Sequence, residues 1–145
     1  MCGIYGIYSK KLIDSSKGVE SLKKTSHRGP DNLGYWVNKE NTLFLGHNRL
    51  SIIDVSSISN QPMIDNDAGM VITFNGEIYN YKDIREQLVK LGVQFKTNSD
   101  TEVVIKAIAF WGKDAIEKFT GMFSFCIYNL KENSLLIARD RAGEK

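Results

Sequence analysis

The stretch GMFSFCIYN, Gly121 to Asn129, decides the fold class. From residue 122 to 128 its side chains are apolar or small on both faces, so as a strand it must be covered on both sides. Downstream, residues 134–139 form its hairpin partner, turned at Lys131-Glu132-Asn133. Upstream lie two helices that supply a cover. Ile84, Leu88 and Leu91 fall at i, i+4, i+7, and Gly92 stops that helix. Val104, Ala107, Ile108 and Trp111 fall at i, i+3, i+4, i+7 behind Ser99-Asp100-Thr101-Glu102, which has capping-box spacing. Residues 113–119 add a short helical piece. Working back, residues 70–74 read as a strand ending at Asn75-Gly76. Residues 35–37 and 42–46 pair as a hairpin around Lys39-Glu40-Asn41. Residues 28–31 read as a turn, 15–26 as a weak helix with Val19 and Leu22 on one side, and 3–8 as a strand. The expected class is α+β, with mostly antiparallel sheets sandwiched by helices.

Bulk properties exclude several functions. The chain has 145 residues, one domain by length, and 42% hydrophobic content. Nineteen Lys and Arg against seventeen Asp and Glu give a net charge of +2, too balanced for a nucleic-acid or anionic-membrane partner. No apolar run has the length of a membrane span, and Ser9-Lys10-Lys11 ends the first apolar run too early for a secretory signal. With two cysteines and no disulfide framework, the expected compartment is the cytoplasm. Cys2, His27, His47 and Cys126 lack the close spacing of a zinc motif, so no metal site is expected. Cys126 reads most simply as a small packing residue.

The residues with chemical potential each carry two readings. Cys2 follows the start methionine directly. If Met1 is removed, one residue holds both a thiol nucleophile and an α-amine base with a pKa of about 7.7–8.0; otherwise Cys2 is an ordinary terminal residue. Asn75-Gly76 offers a side-chain amide and an unhindered backbone N–H side by side, as an oxyanion site requires, and is equally a common hairpin turn. Arg49, at the end of an apolar strand, presents a fork for a carboxylate or forms a structural ion pair. Asp100 holds an ammonium group or merely an acid's place in the first helical turn.

Taken in order, MCGIYGIY, HRGPD, GHNRLSIID, NGEIYN, SDTE, GMFSFCIY and RDRAGEK resemble the N-terminal glutaminase domain of glutamine-hydrolysing asparagine synthetases. That domain is a class II glutamine amidotransferase of the N-terminal nucleophile hydrolase fold, and the resemblance covers residues 2–145. Glucosamine-phosphate synthases and amidophosphoribosyltransferases share the Cys-Gly-Ile start, whereas HRGPD, RLSIID and NGEIYN resemble the asparagine synthetase branch. The resemblance implies a four-layer αββα sandwich, incomplete at its C-terminal end and without the synthetase domain. It implies that Cys2 attacks the glutamine amide, with Asn75 and Gly76 as the oxyanion hole. Arg49 and Asp100 would hold the substrate's α-carboxylate and α-ammonium, and Leu50, Ser51, Ile52, Ile53 and Glu77 would line the pocket. The implied partners are L-glutamine, an ATP-dependent synthetase domain that receives ammonia, and in some members a second copy in a homodimer. No cofactor is expected here, since ATP and Mg belong to the synthetase domain. The alternative is a non-catalytic module that binds glutamine or a partner.

Overall fold

A computed structural model describes residues 2–145. The sequence reading that concerns retention of Met1 lies outside the described residues. Three antiparallel strands form the first sheet: β1 (Gly3–Tyr8), β2 (Asn32–Val37) and β3 (Leu43–Arg49), in the order β1-β3-β2. The second sheet, also antiparallel, has the order β4-β5-β6-β7, from β4 (Met63–Asp65), β5 (Met70–Ile78), β6 (Gly121–Asn129) and β7 (Ser134–Arg139). Helix α1 (Ser15–Lys23) lies on the first sheet, while α2 (Tyr81–Lys90) and α3 (Asp100–Trp111) cover the second. The layers run helix, sheet, sheet, helix, as expected from the resemblance.

Alternation along β6 explains its doubly covered composition. Phe123, Phe125 and Ile127 enter the main core with Ile84, Leu88, Val104 and Ile108 of the helices. Cys126 and Tyr128, with Val71 beside them on β5, face the other sheet at Leu43 and Leu45. Cys126 is thus a packing residue, and burial pushes its thiol up to about 11. Strand β3 is buried along its whole length, because its even positions meet α1 and its odd positions meet the second sheet. Lys106 of α3 reaches Asp65 of β4 at 2.8 Å, and that near-buried pair fixes the helix across the short strand.

Three expectations need correction. Strand β5 does not end at residue 74; it runs to Ile78, with Asn75 opposite Ser124 and Gly76 opposite Phe123. Asn75-Gly76 is therefore strand, not a hairpin turn. The capping box is only half made: the Ser99 hydroxyl accepts from Thr101 N–H, but Glu102 turns away. Its carboxylate instead accepts from the N–H groups of Lys96 and Thr97 and from the Thr97 hydroxyl, which fixes the preceding loop. Lastly, the helix read over 15–26 stops at Lys23, and a 3₁₀ turn, Ser26–Arg28, follows it. No helix among the described residues is long and apolar enough to cross a membrane.

Candidate functional site

Antiparallel pairing gathers distant residues at one end of the sandwich. The start of β1 meets the end of β3, since Gly3 pairs with Asn48. In the second sheet the end of β5 meets the start of β6, since Ile78 pairs with Gly121. The N-terminus of α3 closes the same end. Between them lies a small cavity of about 100 Å³. Its lining includes Cys2, Arg49, Leu50, Ile52 and Ile53 from the first sheet's side, and Asn75, Gly76, Glu77 and Asp100 from the second. Ser51 does not line it; its N–H donates instead to the Asp31 carboxylate at 2.7 Å.

The Cys2 thiol is half-buried and sits against the Leu50 peptide, with Sγ 3.4 Å from Leu50 N and 3.6 Å from Leu50 O. Arg28 Nε donates to the Cys2 carbonyl at 3.4 Å, so a second contact anchors this end of β1.

Arg49 makes no ion pair with the loop that follows it; it meets carbonyl oxygens. Nη1 donates to Ser56 O at 2.8 Å and to Asn60 Oδ1 at 2.7 Å, and Nη2 donates to Asp54 O. A guanidinium has five N–H donors, so among the described residues Nε–H and one Nη2–H are left over. This buried cation thus organises the 50–60 loop with three of its donors while it lines the cavity.

The direction of the Gly76 N–H follows from its neighbours. Phe74 N–H donates to Gln61 Oε1 at 2.6 Å and Ile78 N–H to Asp100 Oδ2 at 3.1 Å, both on the side of β5 away from β6. Alternate residues of an antiparallel pair turn their polar groups to the same side, so Gly76 points its N–H there too, at the cavity. Asn75 has the opposite side-chain parity to Phe74 and faces the space between the sheets, as Arg49 does.

Asp100 supplies the negative charge. Burial, reinforced by the neighbouring Glu77 charge, pushes its carboxyl up to about 6 despite the Ile78 hydrogen bond. His47 lies close by in sequence but does not line the cavity. It is fully buried, with Nε2 3.0 Å from Phe74 O, and desolvation lowers its pKa to about 4.

Residues missed in the sequence also line the cavity: Gln61, which bridges Phe74 N–H and the Thr101 hydroxyl, and Lys145. The Asp140 carboxylate brings the latter in, because it accepts from the N–H groups of Phe123, Glu144 and Lys145 and folds the final residues back onto β6. Neither lies in a periodic segment; Lys145 ends RDRAGEK, which entered only as part of the resemblance, and no motif contains Gln61. The site thus combines a thiol, two amide donors aimed from one strand, a planar cation and a buried carboxylate.

Comparison with known proteins gives the family of the chain. A family model described as a glutamine amidotransferase domain matches residues 1–145. The chain is 41% identical to asparagine synthetase [glutamine-hydrolyzing] 1 of Bacillus subtilis over 150 residues, covering 100% of this chain and 23% of that protein. It is 36% identical to asparagine synthetase [glutamine-hydrolyzing] 1 of Arabidopsis thaliana, covering 99% of this chain and 24% of the relative. The chain therefore spans about a quarter of the length of these relatives. Among solved structures, the glutamine phosphoribosylpyrophosphate amidotransferase of B. subtilis has the same fold, with a TM-score of 0.80 at 20% identity, over 97% of this chain and 37% of that one.

Proposed function

The chain belongs to the glutamine amidotransferase domain family, and from that premise we propose that it hydrolyses the side-chain amide of L-glutamine to glutamate and ammonia, with Cys2 as an N-terminal nucleophile. The ammonia passes to an ATP-dependent domain that makes asparagine or a similar amide. The observation that carries this reading is the single cavity shared by Cys2, Arg49, Asn75, Gly76 and Asp100.

Glutamine enters with its α-carboxylate on the remaining donors of Arg49 and its α-ammonium on Asp100. Leu50, Ile52, Ile53 and Glu77 border the side chain. Once Met1 is removed, the Cys2 α-amine takes the thiol proton while Sγ bonds to the amide carbon. The carbonyl electron pair moves onto oxygen, where Asn75 Nδ2–H and Gly76 N–H stabilise it. Collapse breaks the C–N bond, the ammonium returns its proton to the leaving nitrogen, and ammonia departs from a γ-glutamyl thioester. Water then adds, giving its proton to the amine. The C–S bond breaks, the thiol regains the proton, and glutamate leaves. No step draws on a cofactor; ATP and Mg act in the partner domain, and we assign the protein to the cytoplasm. The non-catalytic alternative keeps Arg49 and Asp100 as a binding pair but leaves the thiol idle.

The deciding experiment compares a processed Cys2 terminus with a retained Met1 and with Cys2→Ala, all matched by circular dichroism. Glutamate and ammonia release and glutamine affinity are measured for each. The processed chain should release both products in equal amounts. The Met1 form should lose about 10²–10⁴-fold in turnover and Cys2→Ala all measurable turnover, both still binding glutamine, since only the base or the nucleophile is gone. Equal turnover by the Met1 form would sink the α-amine mechanism.

A further inference from the structure

Strand β4 accompanies β5 only as far as Ile72, which pairs with Met63. Beyond that point the outer edge of β5 has no neighbouring strand among the described residues, although Phe74 is buried and its peptide groups need partners. Two side chains meet that need. Gln61 Oε1 accepts from Phe74 N–H at 2.6 Å, and His47 Nε2 lies 3.0 Å from Phe74 O. Gln61 is itself held, because its amide nitrogen donates to the Thr101 hydroxyl at 3.2 Å. One residue earlier, the Thr73 hydroxyl donates to Gly46 O at 3.1 Å across the same seam between the sheets.

A carbonyl only accepts, so His47 Nε2 must carry the proton. In a neutral ring Nδ1 is then bare, and it is buried without a hydrogen-bond partner. An apolar side chain at this fully buried position would avoid that orphaned nitrogen. Packing alone therefore does not account for histidine here; the Nε2–H does. The carbonyl it holds shares a planar peptide with Asn75 N–H, so fixing Phe74 O fixes the plane from which Asn75 and then Gly76 depart.

We infer that His47 and Gln61 are positioning residues that substitute for a strand at Phe74 and so aim Asn75 and Gly76 at the cavity. The catalytic part of this inference rests on the oxyanion role proposed above; the geometric part does not.

The test uses the intact chain and two readouts. In nitrogen-edited NMR, His47→Met should move the backbone amide resonances of Asn75 and Gly76 and the Asn75 side-chain amide, and His47→Gln, which keeps a donor of similar reach, should largely restore them. In glutamine hydrolysis, His47→Met should lower kcat about tenfold, the rate equivalent of one hydrogen bond, with KM within about twofold, and His47→Gln should recover most of it. Unmoved resonances at residues 75 and 76 in a folded His47→Met chain would overturn the inference, as would unchanged kcat in an otherwise active protein. If the resonances respond while the unmodified chain turns over no glutamine, the hydrolase reading fails and the clamp stands. Should His47→Met not fold, the ring nitrogen shifts of the unmodified protein decide: protonation at Nε2 supports the clamp, and protonation at Nδ1 refutes it. Gln61→Met then serves as the second variant, with the same resonances expected to move.

Discussion

Gly76 pairs with Phe123 so closely that an added Cβ would stand 2.2 Å from the Met122 carbonyl oxygen and 2.6 Å from Phe123 Cα. Both obstacles are backbone, so no rotamer change relieves them. Gly76→Ala should destabilise the protein by at least about 3 kcal/mol in urea titration, through displacement of β6 rather than loss of a contact. Asp100 makes a different trade. The folded state keeps a proton up to about pH 6, where an unfolded aspartate releases it near 3.8. Folding therefore binds a proton between those values, stability falls as pH rises through the window, and the penalty is complete above it. Asp100→Asn should raise the stability of the unliganded chain at neutral pH by about 2 kcal/mol, and the gain should vanish below pH 4. Glutamine KM should rise more than tenfold in the same variant. A stability gain that persisted at pH 3.5 would contradict the assignment to ionisation. Cys2, Arg49, Asn75, Gly76 and Asp100 were all legible as residue types in suggestive places. Gln61 was not, because a loop glutamine acquires meaning only when β5 lies beside it.

Among the elements, α1 shows how packing overrides propensity. Gly18 sits in mid-helix, where glycine costs about 1 kcal/mol relative to alanine. Yet a Cβ there would lie 2.7–2.9 Å from three ring carbons of Phe44. Phe44 is fully buried and stacks on Tyr35 with centroids 5.5 Å apart, so it has little room to retreat. Gly18→Ala should therefore lower Tm, with a net loss of about 1–2 kcal/mol, whereas a rise in Tm would show that the ring yields. The helices α2 and α3 and the hairpin of β6 and β7 were readable because period and turn residues agree there; Asn133 even takes the left-handed conformation a tight turn favours, with φ 52°. What escaped was short or defined by its partners. Strand β4 has only three residues, too few to show alternation. Asn75, Gly76 and Glu77 of β5 break its apolar run in sequence, and only β6 beside them makes them strand. Glu102 obeyed the spacing of a cap but found better donors in the loop at Lys96 and Thr97.

At the scale of the molecule, β1 and β7 end their sheets without a neighbour among the described residues, and the groove between them is lined by Ile4, Tyr8, Cys126, Leu135 and Ile137. Tyr8 and Ile137 are 71% and 70% exposed. Open edges beside an apolar groove favour association. The isolated chain should bind an apolar-sensitive dye and self-associate with concentration in analytical ultracentrifugation, and Ile137→Lys should suppress both with stability changed by less than about 0.5 kcal/mol. The opposite end of the sandwich has another consequence. Its cavity draws on residues from Cys2 to Lys145, separated by nearly the whole chain and joined only once both sheets are stacked. A chain whose sheets have not stacked would lack the cavity, so on the proposed reading the reactivity of Cys2 toward a glutamine mimic becomes a report on the joining of the two sheets.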